Sequence, residues 1–197
     1  MRFALLAASA ATATIVAVST ALPAVARDGA QKPIEAIVPA FAQPQTASDV
    51  VPERVDLVAL GGIASDSTRF LGSDGYAEYW VGRGNAGNVC LIMAVKGEAQ
   101  VVASSCATIT NFYRQGIGLV AGADPKEPAT SAEAYLLPAD ITSDDLGLGM
   151  QARSSAQATH DSLISLRPGS NEGVRTIERH DGSSFRFAPV SAALGDR

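Results

Sequence analysis

Tyr79-Trp80-Val81, then Val89-Cys90-Leu91-Ile92-Met93-Ala94-Val95, then Val101-Val102-Ala103-Ser104-Ser105-Cys106 is the stretch that decides the fold of this chain. Its β-branched, aromatic and apolar runs are cut by a glycine-rich break at residues 82–87 and by Lys96-Gly97-Glu98-Ala99. Such runs between turn formers read as three successive strands. Both cysteines and the only tryptophan lie here.

Cys90 and Cys106 are sixteen positions apart with the second break near their midpoint. A three-residue loop at 97–99 makes Lys96 face Gln100, and the same register sets Cys90 opposite Cys106. Facing Cβ atoms on antiparallel strands lie roughly 4.5–5.5 Å apart, close to what a disulfide needs. A two-residue turn at Lys96-Gly97 would instead oppose Cys90 to Ala103. The sequence therefore predicts the longer loop and a Cys90–Cys106 disulfide.

Outward from that centre, the chain start fixes a compartment. Met1-Arg2 precedes an uncharged run at residues 3–22, followed by Pro23-Ala24-Val25-Ala26-Arg27. A positive start, an apolar run and an Ala-x-Ala exit form a secretory signal peptide over residues 1–26. Twenty uncharged residues also suffice to anchor a chain in a bilayer, so membrane attachment through 3–22 is the alternative if cleavage fails. No cysteine follows the run, which excludes a bacterial lipid anchor. Three lysines and twelve arginines against twenty acids, without a basic block, argue against a nucleic-acid partner.

Residues 27–48 carry Pro33, Pro39 and Pro44 without periodicity and read as a disordered tether. A short helix is expected next, with Asp49 as its cap, Val51, Val55 and Val58 on one face, and Gly61-Gly62 as its stop. Asp74-Gly75 marks a hairpin between strands near 69–71 and 76–81. Thr108 to Gln115, followed by Gly116, reads as one or two helical turns, and runs at 117–121 and 133–137 as the last strands of the core sheet. Residues 141–160 read as a polar loop, and 161–197 as a looser hairpin around Asp181-Gly182 with a tail.

Few constellations suggest chemistry. Gly82-Arg83-Gly84-Asn85-Ala86-Gly87 has the letters of a dinucleotide fingerprint, but a β run follows where that motif needs a helix, so no cofactor is expected. His160-Asp161 and His180-Asp181 contain the only histidines, without a nucleophile elbow nearby. Asp140, Asp144 and Asp145 lack calcium-loop spacing, and two histidines are too few for zinc, so no metal is expected. Tyr76, Glu78 and Trp80 share one strand face, making either a recognition patch or, if that face is covered, core.

The set Ser67-Thr68-Arg69-Phe70-Leu71-Gly72, Asp74-Gly75, Tyr79-Trp80, Val89-Cys90-Leu91-Ile92, Ser105-Cys106 and Gly116-Ile117-Gly118-Leu119 resembles a group of small exported or membrane-anchored proteins of high-GC Gram-positive bacteria. The resemblance spans roughly residues 49–140. It implies an extracytoplasmic setting and carries no catalytic or ligand residue.

The expected architecture is mainly β: a small antiparallel sheet or sandwich over 49–140, with one or two short helices and one disulfide. The expected role is a non-catalytic binding module at the cell surface, taking a protein, a peptide or a wall component. The alternative is a small secreted hydrolase using His160 or His180. If the Ala-x-Ala site is used, N-terminal sequencing of exported protein will read from Arg27. Recovery only from membranes, with residues 3–22 intact, would make the chain an anchored protein.

Overall fold

The computed structural model describes residues 32–97, 101–122, 131–148, 157–158, 162–166 and 173–190. The expected signal peptide at residues 1–26 and His160 fall outside them. In chain order the strands are β1 (Arg69–Ser73), β2 (Ala77–Arg83), β3 (Val89–Val95), β4 (Val102–Ala107) and β5 (Ile117–Gly122). There follow β6 (Ser131–Leu136), β7 (Gln157–Ala158), β8 (Leu163–Leu166), β9 (Arg175–Glu178) and β10 (Ser184–Phe187). Two short α-helices, α1 (Ile34–Ile37) and α2 (Ile109–Gln115), and four 3-10 turns, at Pro39–Ala42, Ala47–Asp49, Ser65–Ser67 and Asn85–Gly87, accompany the strands among the described residues.

The fold is mainly β, in three antiparallel sheets with orders β4-β3-β2-β1-β7, β5-β6-β8 and β10-β9. Strand alternation builds it in layers. Ala77, Tyr79 and Val81 of β2, with Val89, Leu91 and Met93 of β3, point into the main core. Ile117, Leu119 and Ala121 of β5, with Ala132, Ala134 and Leu136 of β6, enter the same core from the second sheet. Both sheets are buried on their far faces too. Trp80, Cys90, Ile92 and Ala94 face a second cluster closed by Val51, Val55 and Ile63. Tyr135, Leu137, Ile164 and Leu166 face a third, closed by Leu146, Leu148, Phe185 and Phe187.

The central hairpin has the register the cysteines demanded: Cys90 opposes Cys106, Leu91 opposes Ser105, and Val95 donates to the Val101 carbonyl at 2.8 Å. The disulfide is formed, with Cα atoms 4.1 Å apart. It packs between two glycines. A Cβ at Gly84 would stand 2.6 Å from Cys90 Sγ, and one at Gly61, whose φ is +117°, 3.0 Å from Cys106 Sγ. Only glycine allows both the left-handed turn and the close approach at Gly61. The Asp74-Gly75 hairpin also forms, its turn held by Asp74 Oδ1 accepting from Tyr76 N and Ala77 N at 2.7 and 2.9 Å. Thr108 caps α2 by accepting from Asn111 N, and Gly116 N closes it on the Phe112 carbonyl.

Five expectations need correcting. Residues 32–48 are a folded strap instead of a tether: Ile37, Val38, Ala40 and Phe41 are buried in the main core. Arg83 ties the strap down by pairing with Glu35 at 2.7 Å and stacking 4.9 Å over Phe41. The helix expected after Asp49 does not form; turns run through this flap instead. Asp49 is spent on the strand, accepting from Phe70 N at 2.8 Å, while Val58 is exposed. Strands β5 and β6 belong to the second sheet, pairing with each other and β8. Within the 141–160 loop, Ile141, Leu146 and Leu148 are buried and β7 pairs with β1. Finally, the C-terminal hairpin is integral: Phe185 and Phe187 are fully buried, and burying such a ring contributes about 1.5–3 kcal/mol. The folded unit therefore runs beyond 49–140 in both directions.

Reducing the disulfide, or Cys90→Ser, will lower stability by about 2–4 kcal/mol. Cys106→Ser should match it, and the double substitution should cost no more than either, since all three remove one bond. Chemical denaturation of the three variants measures this. Additive losses would assign the cost to packing around the thiols.

Candidate functional site

The set Tyr76, Glu78 and Trp80 is divided between core and surface. Trp80 is 3% exposed, lies beneath the flap, and packs its ring 5.5 Å from that of Phe70. Glu78 is half-buried in the ladder, and Tyr76 precedes the strand, holding Lys96 N on its carbonyl at 2.7 Å. The covered sheet face gives Trp80 the core alternative, while Tyr76 stays 37% exposed beside the strand.

The glycine-rich break is the connection between β2 and β3, where Gly84 N donates to the Asn88 carbonyl and residues 85–87 form a single tight turn. No helix opens there to receive a pyrophosphate. Among the described residues no three His, Cys, Asp or Glu side chains gather to hold a metal. Asp145 instead accepts from Thr142 N and Oγ1 at 2.8 and 2.7 Å, fixing its own loop.

The structure assembles its polar groups elsewhere. A cleft of about 260 Å³ opens where the strap, the loop after β6 and the turn between β9 and β10 meet. Its walls carry Lys32, Asp140, Asp145, Glu178, Arg179 and Asp181, with His180 exposed among them. The phenol of Tyr113 anchors the arrangement. Its hydroxyl accepts from Lys32 Nζ at 3.0 Å. With one proton to give, it faces two carboxylates, Asp181 Oδ2 at 2.9 Å and Asp140 Oδ2 at 3.3 Å, and the shorter contact is to Asp181.

Arg179 supports the phenol from below. Its side chain is 4% exposed, donates from Nε to Asp140 Oδ2 at 2.8 Å and from Nη2 to the Tyr113 carbonyl at 2.5 Å. Its guanidinium stacks 3.8 Å over the Tyr113 ring, with Phe185 at 5.3 Å. Buried arginine is tolerated only when paired and hydrogen-bonded, and here an aromatic face supplies part of the environment. One nitrogen, Nη1, is buried without an acceptor among the described residues.

Electrostatics follow from these bonds. Hydrogen bonds from the Ser183 hydroxyl and amide, then from Tyr113, hold the Asp181 carboxyl well below the usual carboxylate range. The bond to Tyr113 raises the Lys32 ammonium above its ordinary value, with Asp140 and Asp181 adding to it. Four carboxylates against two cations leave the cleft negative. Comparison with protein-family models, curated proteins and solved structures found no match to this chain.

Asp181-Gly182 was legible as a turn, but nothing local told that Tyr113 would meet it or that Arg179 would be buried. Asp140→Asn will destabilise the fold by about 1–3 kcal/mol, because it leaves a buried guanidinium without its counter-charge. Arg179→Met should cost less in charge terms, since Asp140 is 39% exposed and water can solvate it. Thermal melts of both variants test this order, and the reverse would mean that stacking dominates. For Asp181, a folded pKa below the unfolded value of about 3.9 places its contribution fully above that pH, lost on acidification below it.

Proposed function

We propose that this chain is an exported protein acting outside the cytoplasm, at the cell surface, as a non-catalytic binding or interaction module. Three features support the reading. The leader ends in an Ala-x-Ala site, the Cys90–Cys106 bond belongs to oxidising compartments, and the chain resembles exported proteins of high-GC Gram-positive bacteria. Among the described residues no helix is long and apolar enough to cross a membrane.

The cleft is the observation that carries binding over catalysis. Its groups are tied to the scaffold: Asp140 to Arg179, Asp145 to Thr142, Asp181 to Ser183 and Tyr113. A general base needs a positioned, available partner within hydrogen-bond reach of a nucleophile. His180 sits on an exposed turn and makes no such bond to a hydroxyl or carboxylate among the described contacts. What remains is a preformed, negatively charged recess with Ile141 and Ile177 among its lining, suited to holding a group.

The test pairs His160→Ala/His180→Ala with wild type. Both proteins should capture the same component when cross-linked on intact cells, and neither should cleave ester, peptide or glycoside reporter substrates. Cleavage by wild type that disappears in the double variant would establish the hydrolase. Cytoplasmic protein retaining Met1 would overturn export.

A further inference from the structure

We propose that the corner of the cleft built by Tyr113, Asp181 and Asp140 recognises a primary ammonium group carried by a peptide, and that Lys32 of the chain's own strap fills it until such a ligand displaces it. This rests on the binding reading above and names the chemistry of the bound group.

The first observation is the occupant. Lys32 Nζ lies 3.0 Å from the Tyr113 hydroxyl, 4.0 Å from Asp181 Oδ2 and 4.9 Å from the centre of the phenol ring. Hydrogen-bond acceptor, carboxylate and π face around one ammonium are the elements by which proteins bind organic cations. The side chain that makes these contacts is 48% exposed, and its ion pair to Asp181 is long and open to water. Exposed pairs of this kind hold weakly, so an outside amine competes on nearly equal terms.

The second observation is independent of Lys32. Arg179 forms part of the cleft wall, is nine-tenths buried, and keeps Nη1 without an acceptor while its other two nitrogens are engaged. Bound in this way to Asp140 and to the Tyr113 carbonyl, Arg179 pairs with none of Asp145, Glu178 and Asp181 among the described residues. The remaining carboxylates, Asp145 and Glu178, favour a ligand of net positive charge. A volume of about 260 Å³ takes one such residue and not a long segment.

Calorimetry on the intact mature protein, with a blocked alanine-lysine-alanine tripeptide as probe, tests the proposal. Lys32→Met empties the corner and should tighten binding severalfold over wild type. Adding Asp181→Asn to that variant should abolish the gain, and the same peptide with its lysine acetylated should not bind. Equal binding of the acetylated peptide, or no gain in Lys32→Met, overturns the assignment. Should Lys32→Met melt early, acylation of Lys32 in wild type gives a second readout. The probe should raise that lysine's rate severalfold by displacing it, and an unchanged rate at saturating peptide refutes displacement. Cell-surface capture that persists while the tripeptide fails would leave the module reading standing and remove only the ammonium site.

Discussion

Burial of β3 on both faces is the constraint from which the other layers follow. Val89, Leu91 and Met93 on one side and Cys90, Ile92 and Ala94 on the other are all apolar, so neither face can be left to water. Antiparallel sheets commonly keep one face solvated; this one cannot. One face is met by the β5-β6-β8 sheet, and the other needs a cover of its own. The flap supplies it, held by Ala64 N on the Arg83 carbonyl and by Ser104 Oγ on the Leu60 carbonyl at 2.5 Å. The disulfide stands at the seam between that cover and the hairpin it lies on.

The second sheet repeats the problem with a different answer. Tyr135 and Glu133 lie on its far face, and the Tyr135 hydroxyl donates to the Glu133 carboxylate while accepting from Val190 N at 2.5 Å. Burial and the adjacent carboxylate push that phenol well above its ordinary pKa, so it stays a donor at any physiological pH. The β9-β10 hairpin closes the layer with Phe187 set edge-on against Tyr135, rings 4.9 Å apart. The cleft exists because this outer hairpin, α2 and the strap reach the same corner without filling it.

How much of this was readable depended on how local its cause was. The hairpins, their turns, the cap of α2 and the Cys90–Cys106 register all follow from residues within about sixteen positions of one another, and the sequence disclosed each. The strap was misread because Pro33, Pro39 and Pro44 break periodicity, while its anchoring residues, Ile37 and Phe41, are buried by strands far along the chain. Trp80 could be read as core or surface because the answer lay in a separate segment, the flap. The cleft was invisible for the same reason. Asp140, Arg179 and Asp181 look like ordinary turn and strand-end residues until Tyr113 is placed among them.

Tyr113 also bears on the order in which the molecule can be completed. It meets Lys32 across 81 positions of sequence and Asp181 across 68, so the beginning and end of the described chain are joined through one phenol. Contacts of such separation carry a large loop-closure cost and characterise slow-folding topologies. The chain cannot close this joint while its last strands are still being made. A polypeptide built this way stays incomplete until its C-terminal hairpin has been made.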